Sequence, residues 1–174
     1  MLTELEILDL IQDFLRWQPL DKIMVVITRL ADKGMLWILL ALVLLLRPKT
    51  RKLGLEMLVA IMIEVFICNI LLKPIIARPR PFTLNNGIEL LISRPTDYSF
   101  PSGHSAVSFA GATTLLIHRS PFKWFALILA VCISFSRLYL YVHYPSDVLA
   151  GALFGTISSM IASQLMKKRS QPLQ

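Results

Sequence analysis

From residue 35 onward the chain returns again and again to apolar runs that have no polar face, and this limits its fold more than any other feature. A surface helix of a soluble protein carries charge opposite its buried stripe. The runs here carry almost none: 35–46 (MLWILLALVLLL), about 53–72, Gly103 to Ile117, Trp124 to about Val142, and Asp147 to Met166. Hydrophobic residues make up 55% of the chain and the mean hydropathy is +0.64, more than one soluble core requires. Several runs approach the roughly 20 residues that cross a bilayer. The reading is an all-α, polytopic membrane bundle with about five transmembrane helices. The first is short unless the turn before it also enters the lipid.

The remainder of the chain fits around that core. Residues 2–17 place Leu5, Leu8, Ile11 and Leu15 on one side and Glu4, Glu6, Asp9 and Asp13 mostly elsewhere, an amphipathic helix suited to a membrane surface. Residues 20–32 predict a second short helix leading to Gly34. One domain, 1–174, is therefore expected, with interfacial helices over 1–34, a transmembrane core over 35–166 and a basic tail over 167–174. No basic segment precedes the first apolar residues, so the N-terminus does not read as a signal peptide. Cys68 and Cys132 both lie inside apolar runs and read as buried, unpaired thiols.

The formal net charge of +7 does not indicate nucleic acid, because the basic residues fall between apolar runs rather than along one face. Nine of the eighteen Lys and Arg occupy three short segments: Arg47, Lys49, Arg51 and Lys52; Arg119 and Lys123; Lys167, Lys168 and Arg169. Helix alternation puts all three on one side, which the positive-inside rule makes cytoplasmic. The long segment 73–102 and the turn 143–147 then face outward. This predicts a multi-pass protein of the plasma membrane with its chemistry outside the cytoplasm.

Three polar clusters fall on that outward face. They are Lys73, six residues, Arg80-Pro81; Pro101-Ser102-Gly103-His104; and Ser136-Arg137, five residues, His143, three residues, Asp147. Lys73, Arg80 and Arg137 are cations without acids close in sequence, which suits a phosphate dianion or a pyrophosphate. Ser102 and Gly103 precede a helix whose free N–H groups can meet phosphoryl oxygens. Pro145 suits a first helical turn, so Asp147 can reach back to His143 and leave one ring nitrogen free to attack phosphorus. His104 is then the general acid. A zinc site is the rival use of two histidines and an aspartate, and three nearby cations argue against it.

These clusters resemble the signature of the type 2 phosphatidic acid phosphatase family of membrane lipid phosphatases, and every position of that signature is matched. The resemblance implies a helical core, a phosphohistidine on His143, no metal or other cofactor, and a lipid phosphate as substrate at the outer membrane boundary. Undecaprenyl pyrophosphate is the favoured lipid, with phosphatidylglycerol phosphate, phosphatidic acid and lipid A phosphate as alternatives. The chain departs from longer relatives in carrying surface helices over 1–34 where they have a further span. A small anion transporter and a non-catalytic lipid-binding protein are the other classes, and neither needs His104 together with the His143–Asp147 pair. Oligomeric state is not legible.

Four further readings concern single residues. Arg78 is expected to face water. Glu64, in mid-span, requires an internal partner or a proton, and the sequence names no partner beyond a conceivable Arg29. His118 reads as a residue of the cytoplasmic connection without a catalytic part. Tyr98, Phe100, Tyr139 and Tyr141 either line a lipid path or anchor the interface.

Overall fold

The computed structural model describes residues 3–85 and 87–168. Among these residues there is no strand, and the fold is an all-helical membrane bundle. Helix α1 (Glu4–Leu15) opens with a capping box: Glu6 N–H donates to Thr3 Oγ1 and Thr3 N–H to Glu6 Oε2, satisfying two otherwise orphaned donors. Helix α2 (Gln18–Leu30) starts at the Pro19 turn and ends before a 3-10 turn, Asp32–Gly34. Lys33 and Gly34 are both left-handed there, at φ 53° and 70°, and redirect the chain into α3 (Met35–Leu45).

The core follows as α4 (Arg51–Glu64), running without a break into a π-helical segment Val65–Leu72, then α5 (Lys73–Ile76), α6 (Pro81–Leu84), α7 (Gly103–Ile117), α8 (Lys123–Tyr139) and α9 (Pro145–Lys168). The expected runs thus all form helices, with shifted ends. The fourth stops at Tyr139, three residues early, because Tyr141 takes a left-handed φ of 59° in the turn. The fifth begins two residues early at Pro145, whose missing N–H is harmless in a first turn. The π segment was not expected. Pro74 accounts for it, since it offers no N–H to the preceding turn and its ring crowds that turn. Lys168 closes α9, and the tail positions 169–174 lie outside the described residues.

Two stretches, Arg51–Leu84 and Pro145–Lys167, are long and apolar enough to cross a membrane, with mean hydropathies of 2.3 and 1.5 in their most apolar windows. At about 1.5 Å per residue α3 is only roughly 16 Å long, short of a bilayer's hydrocarbon thickness. Large apolar side chains point outward from the core helices, among them Leu42, Met62, Phe66, Trp124, Phe125, Ile128, Leu149 and Leu153. Such a girdle has no soluble explanation and suits acyl chains.

Helix α7 is the central strut: Ser105 to Ser108 and Ala110 to Leu115 are all buried. Its neighbours approach closely because side chains are missing at the contact. A Cβ at Gly151 would lie 2.4 Å from the Ser102 carbonyl oxygen, and one at Gly155 would lie 2.0 Å from that of Ala106. Gly111 gives way in the same manner to the Trp37 ring, whose Nε1 donates to Ser108 Oγ at 3.1 Å. Thr114 and Ser159 pair across α7 and α9 at 2.8 Å. Small residues and hydroxyls are how helices associate in a solvent as apolar as their own side chains.

The helices alternate, so one end of the bundle carries the α3–α4 and α7–α8 connections and the other carries Lys73, the start of α7 and the α8–α9 turn. His118 lies at the former end, bonded to Glu56 at 2.9 Å, far in the fold from the other two histidines. The N-terminal helices cover the latter end. Gln12 Nε2 donates to the Tyr139 carbonyl (2.8 Å), Tyr139 Oη to Asp21 (2.6 Å) and Tyr141 Oη to Asp9 (2.7 Å). Tyr139 and Tyr141 are therefore buried struts rather than lipid-path residues. Phe14 on α1 and Trp17 in the turn between α1 and α2 stay exposed, as an interfacial position requires.

Replacing Gly155 with Ala should force α9 off α7, since the new methyl meets backbone rather than a movable side chain. We expect a loss of about 1–3 kcal/mol, read as a lower thermal midpoint in detergent. An unchanged midpoint would show that the two backbones are not in contact.

Candidate active site

The three polar clusters meet at the covered end. A cavity of about 630 Å³ is lined there by Lys73, Arg80, Gly103, His104, Arg137 and His143 together with apolar Ile38, Ile61, Val65 and Val107. The π segment delivers Asn69 and Lys73 to its wall. A Cβ on Gly103 would lie a tight 3.1 Å from Asn69 Oδ1 and in ordinary contact with Lys73 Nζ at 3.8 Å, so the bare α-carbon makes room for the Asn69 amide beside the first turn of α7.

His143 is buried between two partners of opposite charge. Its Nε2 lies 3.2 Å from Arg80 Nη1. A guanidinium only donates, so Nε2 is the nitrogen with the lone pair and Nδ1 carries the proton. Nδ1 faces Asp147 Oδ2 at 3.4 Å and Ser99 Oγ at 3.5 Å. Burial first, then the positive charges of Arg80 and Arg137, hold the imidazole well below its usual range, so the ring is neutral at neutral pH.

Asp147 is itself tightly held. Oδ2 accepts from Ser99 Oγ (2.5 Å) and from Tyr144 N–H (2.9 Å), the acidic half of a capping box at the start of α9. Oδ1 accepts from Arg78 Nη1 at 2.6 Å. Arg78 therefore does not face water, contrary to the sequence-based expectation. Its guanidinium also donates to Ser146 Oγ (2.7 Å) and Glu4 Oε2 (2.5 Å), and it lies 3.8 Å over the Tyr144 ring. Three acceptors within one planar fork outcompete hydration.

The cations differ in how they are balanced. Asp97 bridges Lys73 Nζ and Arg80 Nη2, the latter at 2.6 Å, and its backbone carbonyl takes Arg80 Nε at 2.8 Å. Burial alone would raise the Asp97 carboxyl; the Lys73 hydrogen bond and charge, with those of Arg80, outweigh it and hold the pKa at about 2. Arg137 has no carboxylate partner among the described residues. It is 3% exposed, donates only to Thr28 Oγ1, and its Nε finds no acceptor.

His104 lines the cavity with Nε2 3.0 Å from Asp32 Oδ1. Ser102 is placed differently from its expected part. Its hydroxyl oxygen is wholly buried and takes Ser105 N–H and Ser105 Oγ, capping α7, while its backbone N–H donates to the Asp147 carbonyl at 3.0 Å. Glu64 also borders the cavity, yet neither carboxylate oxygen has a partner, so Arg29 does not pair with it. Asp97, Ser99, Asp32 and Glu4 were missed by sequence reading. The first two stand just ahead of Pro101, a faint signal by proximity; the others come from the far N-terminal region and carry none.

The profile of the PAP2 superfamily matches residues 53–171. Over 130 residues the chain is 38% identical to an undecaprenyl-diphosphatase of Sulfolobus acidocaldarius, covering 74% of this chain and 63% of that protein. It is 32% identical over 140 residues to the undecaprenyl-diphosphatase BcrC of Bacillus subtilis, covering 79% and 70%. The chain spans less than two thirds of the length of the Sulfolobus relative. Among solved structures, Aquifex aeolicus LpxE superposes with a TM-score of 0.81 at 32% identity, covering 92% of this chain and 94% of that one.

The Asp97 bridge has a pH signature. Its folded pKa of about 2 lies below the roughly 3.9 of an unfolded aspartate, so its stabilisation is complete above about pH 4 and fades as pH falls toward 2. The thermal midpoint of Asp97→Asn should therefore trail the native protein by a constant margin above pH 4, with the gap narrowing below it. A gap that widens in acid would contradict the bridge.

Proposed function

The chain belongs to the PAP2 superfamily, and from that membership we propose that it is an integral membrane lipid phosphatase working through a phosphohistidine on His143, with undecaprenyl pyrophosphate as substrate. The observation that carries the reading is Arg137, a buried guanidinium without an acidic partner in the same cavity as an unprotonated imidazole nitrogen. A cation so placed is expensive unless an anion joins it. A phosphoryl group supplies that anion, and apolar Ile38, Ile61, Val65 and Val107 beside it suit the first carbons of a lipid tail.

In this mechanism the His143 Nε2 lone pair attacks phosphorus. The bond from phosphorus to the leaving oxygen breaks, and that oxygen keeps the electron pair and takes a proton from His104. Lys73, Arg80, Arg137 and the N–H groups at Gly103 hold the equatorial oxygens as charge develops. Water then attacks phosphorus, His104 takes its proton, the P–N bond breaks and Nε2 regains its lone pair as phosphate leaves. Asp147 keeps the proton on Nδ1 throughout. Incoming phosphate competes with Asp97 for Lys73 and Arg80. Ser102 acts here by capping α7, rather than by its hydroxyl on phosphate.

Two observations favour a pyrophosphate among lipid phosphates. The two relatives described above are named as undecaprenyl-diphosphatases. Arg29 and Lys33 are additional cations on the cavity wall, beyond those needed for one phosphoryl group. The site faces away from the cytoplasm of the plasma membrane in this reading, supported by Arg47–Lys52 and Arg119–Lys123 at the opposite end. Residues 1–174 act as one domain, with 1–34 as its interfacial cover.

Purified protein in detergent should release phosphate from undecaprenyl pyrophosphate faster than from phosphatidylglycerol phosphate, phosphatidic acid or lipid A phosphate. His143→Ala should lower the rate on the order of a thousand-fold or more while remaining folded. Vanadate should inhibit and EDTA should not. Undiminished release by His143→Ala would remove the nucleophile, and no release from any lipid would leave a transporter or lipid-binding protein.

The substrate choice has its own test. Arg29→Ala with Lys33→Ala should raise KM for the pyrophosphate about ten-fold, the worth of one charge-assisted contact. On a lipid monophosphate the change should stay within about two-fold. Equal losses on both would place these residues elsewhere than at a second phosphoryl group.

A further inference from the structure

We propose that Glu4 and Arg78 are positioning residues of the reaction: Arg78 grips Asp147, Glu4 anchors Arg78, and together they set where His143 points and how readily it gives its lone pair, which makes the N-terminal surface helix a working part of the active site. The inference rests on the phosphohistidine reading for its chemistry, and on side-chain geometry for its residues.

Asp147 is only 3.4 Å from His143 Nδ1, a contact that a slight swing of the carboxylate would lose. That swing is prevented from the far side. Arg78 Nη1 holds Oδ1 at 2.6 Å and Ser146 Oγ at 2.7 Å, while Nη2 holds Glu4 Oε2 at 2.5 Å. Glu4 closes the loop: its Oε1 takes Ser146 N–H at 2.7 Å, one of the unpaired donors in the first turn of α9. Thus α1 caps the helix that carries Asp147 and anchors the arginine that holds it. The Tyr144 ring covers the guanidinium, keeping the fork in one plane. Two attachments of α1 to the α8–α9 turn, through Asp9 and Gln12, keep Glu4 in register.

The charges alternate along this line: Glu4, Arg78, Asp147, then the imidazole. Arg78 draws on the negative charge of Asp147 and so keeps that carboxylate from favouring a protonated, non-nucleophilic His143. The other groups that bear on His143 are Arg80 in contact with it, Asp97 bound to Arg80, Lys73 at the end of the π segment, His104 on α7 and Arg137 on α8. Substitutions at Glu4 and Arg78 leave all of these in place, so a change in His143 reports the line itself.

The experiment compares native protein, Arg78→Gln, Arg78→Lys, Glu4→Gln and the double variant Glu4→Gln/Arg78→Gln. It measures kcat, KM and the pH dependence of phosphate release, and follows the His143 ring by NMR in protein carrying ¹⁵N-histidine. Arg78→Gln should lower kcat about 10–100-fold with KM little changed, as loss of an outer partner does elsewhere. It should also move the His143 titration upward by about half a pH unit or more. Arg78→Lys, which keeps the charge but cannot span three partners, should lower kcat without moving the titration. It decides the case if Arg78→Gln does not fold. Glu4→Gln should lower kcat about five-fold in native background and add nothing to Arg78→Gln.

An unmoved titration in folded Arg78→Gln overturns the proposal. So does a Glu4→Gln loss that persists undiminished beside Arg78→Gln, since Glu4 would then act only as a cap. Absence of phosphate release by the native protein would instead defeat the phosphatase reading, and the NMR titration would still decide whether Arg78 governs His143.

Discussion

The contact between the backbones of α7 and α9 is the constraint on which the remainder depends. One histidine stands in the first turn of α7 and the other just ahead of α9, so their relation is the relation of two helix ends. With Gly151 and Gly155 against the carbonyls of Ser102 and Ala106, α9 cannot slide or roll without a backbone clash. The Ser102 N–H to Asp147 carbonyl bond ties the same ends directly. Close placement of the two histidines is thereby obtained from small residues and one backbone bond rather than from bulky packing.

Upon that frame the electrostatics are deliberately unfinished. Lys73 and Arg80 share Asp97, while Arg137 has only Thr28. A resting site with every cation matched by an acid would hold phosphate poorly, and one with none matched would be costly to fold. Asp97 lies between these extremes. It is about half exposed and sits on the long loop before α7, so the group that steadies two cations is also one that can yield to a ligand of the same charge.

Much of this was legible before any coordinates. Runs lacking a polar face gave the helices, because lipid imposes composition along a whole span. The charge of the short connections is the basis of the proposed sidedness. Lys73, Arg80, His104, Arg137, His143 and Asp147 were legible as one candidate site because ionisable residues at the ends of apolar spans are hard to explain otherwise. Hidden were the features created by chain ends meeting. Arg78 read as a solvent residue because its partners, Glu4 and Asp147, lie 74 and 69 positions away. Ser102 read as a ligand because nothing in a tetrapeptide reveals whether its hydroxyl turns to the cavity or back to Ser105. Span ends moved where local chemistry overruled composition, at Tyr141 and at Pro145.

The π-helical segment Val65–Leu72 has a consequence for how this protein tolerates change. Such a segment holds more residues per turn than the α-helix on either side of it, so it acts as slack in an otherwise rigid rod. Deleting one residue there would let the rod close into an ordinary α-helix, and each residue of an α-helix turns the rod by about 100°. The closure takes up the lost residue and leaves the Lys73 ammonium near the cavity wall. A second deletion would find no slack left and would turn Lys73 by about 100° toward hydrocarbon.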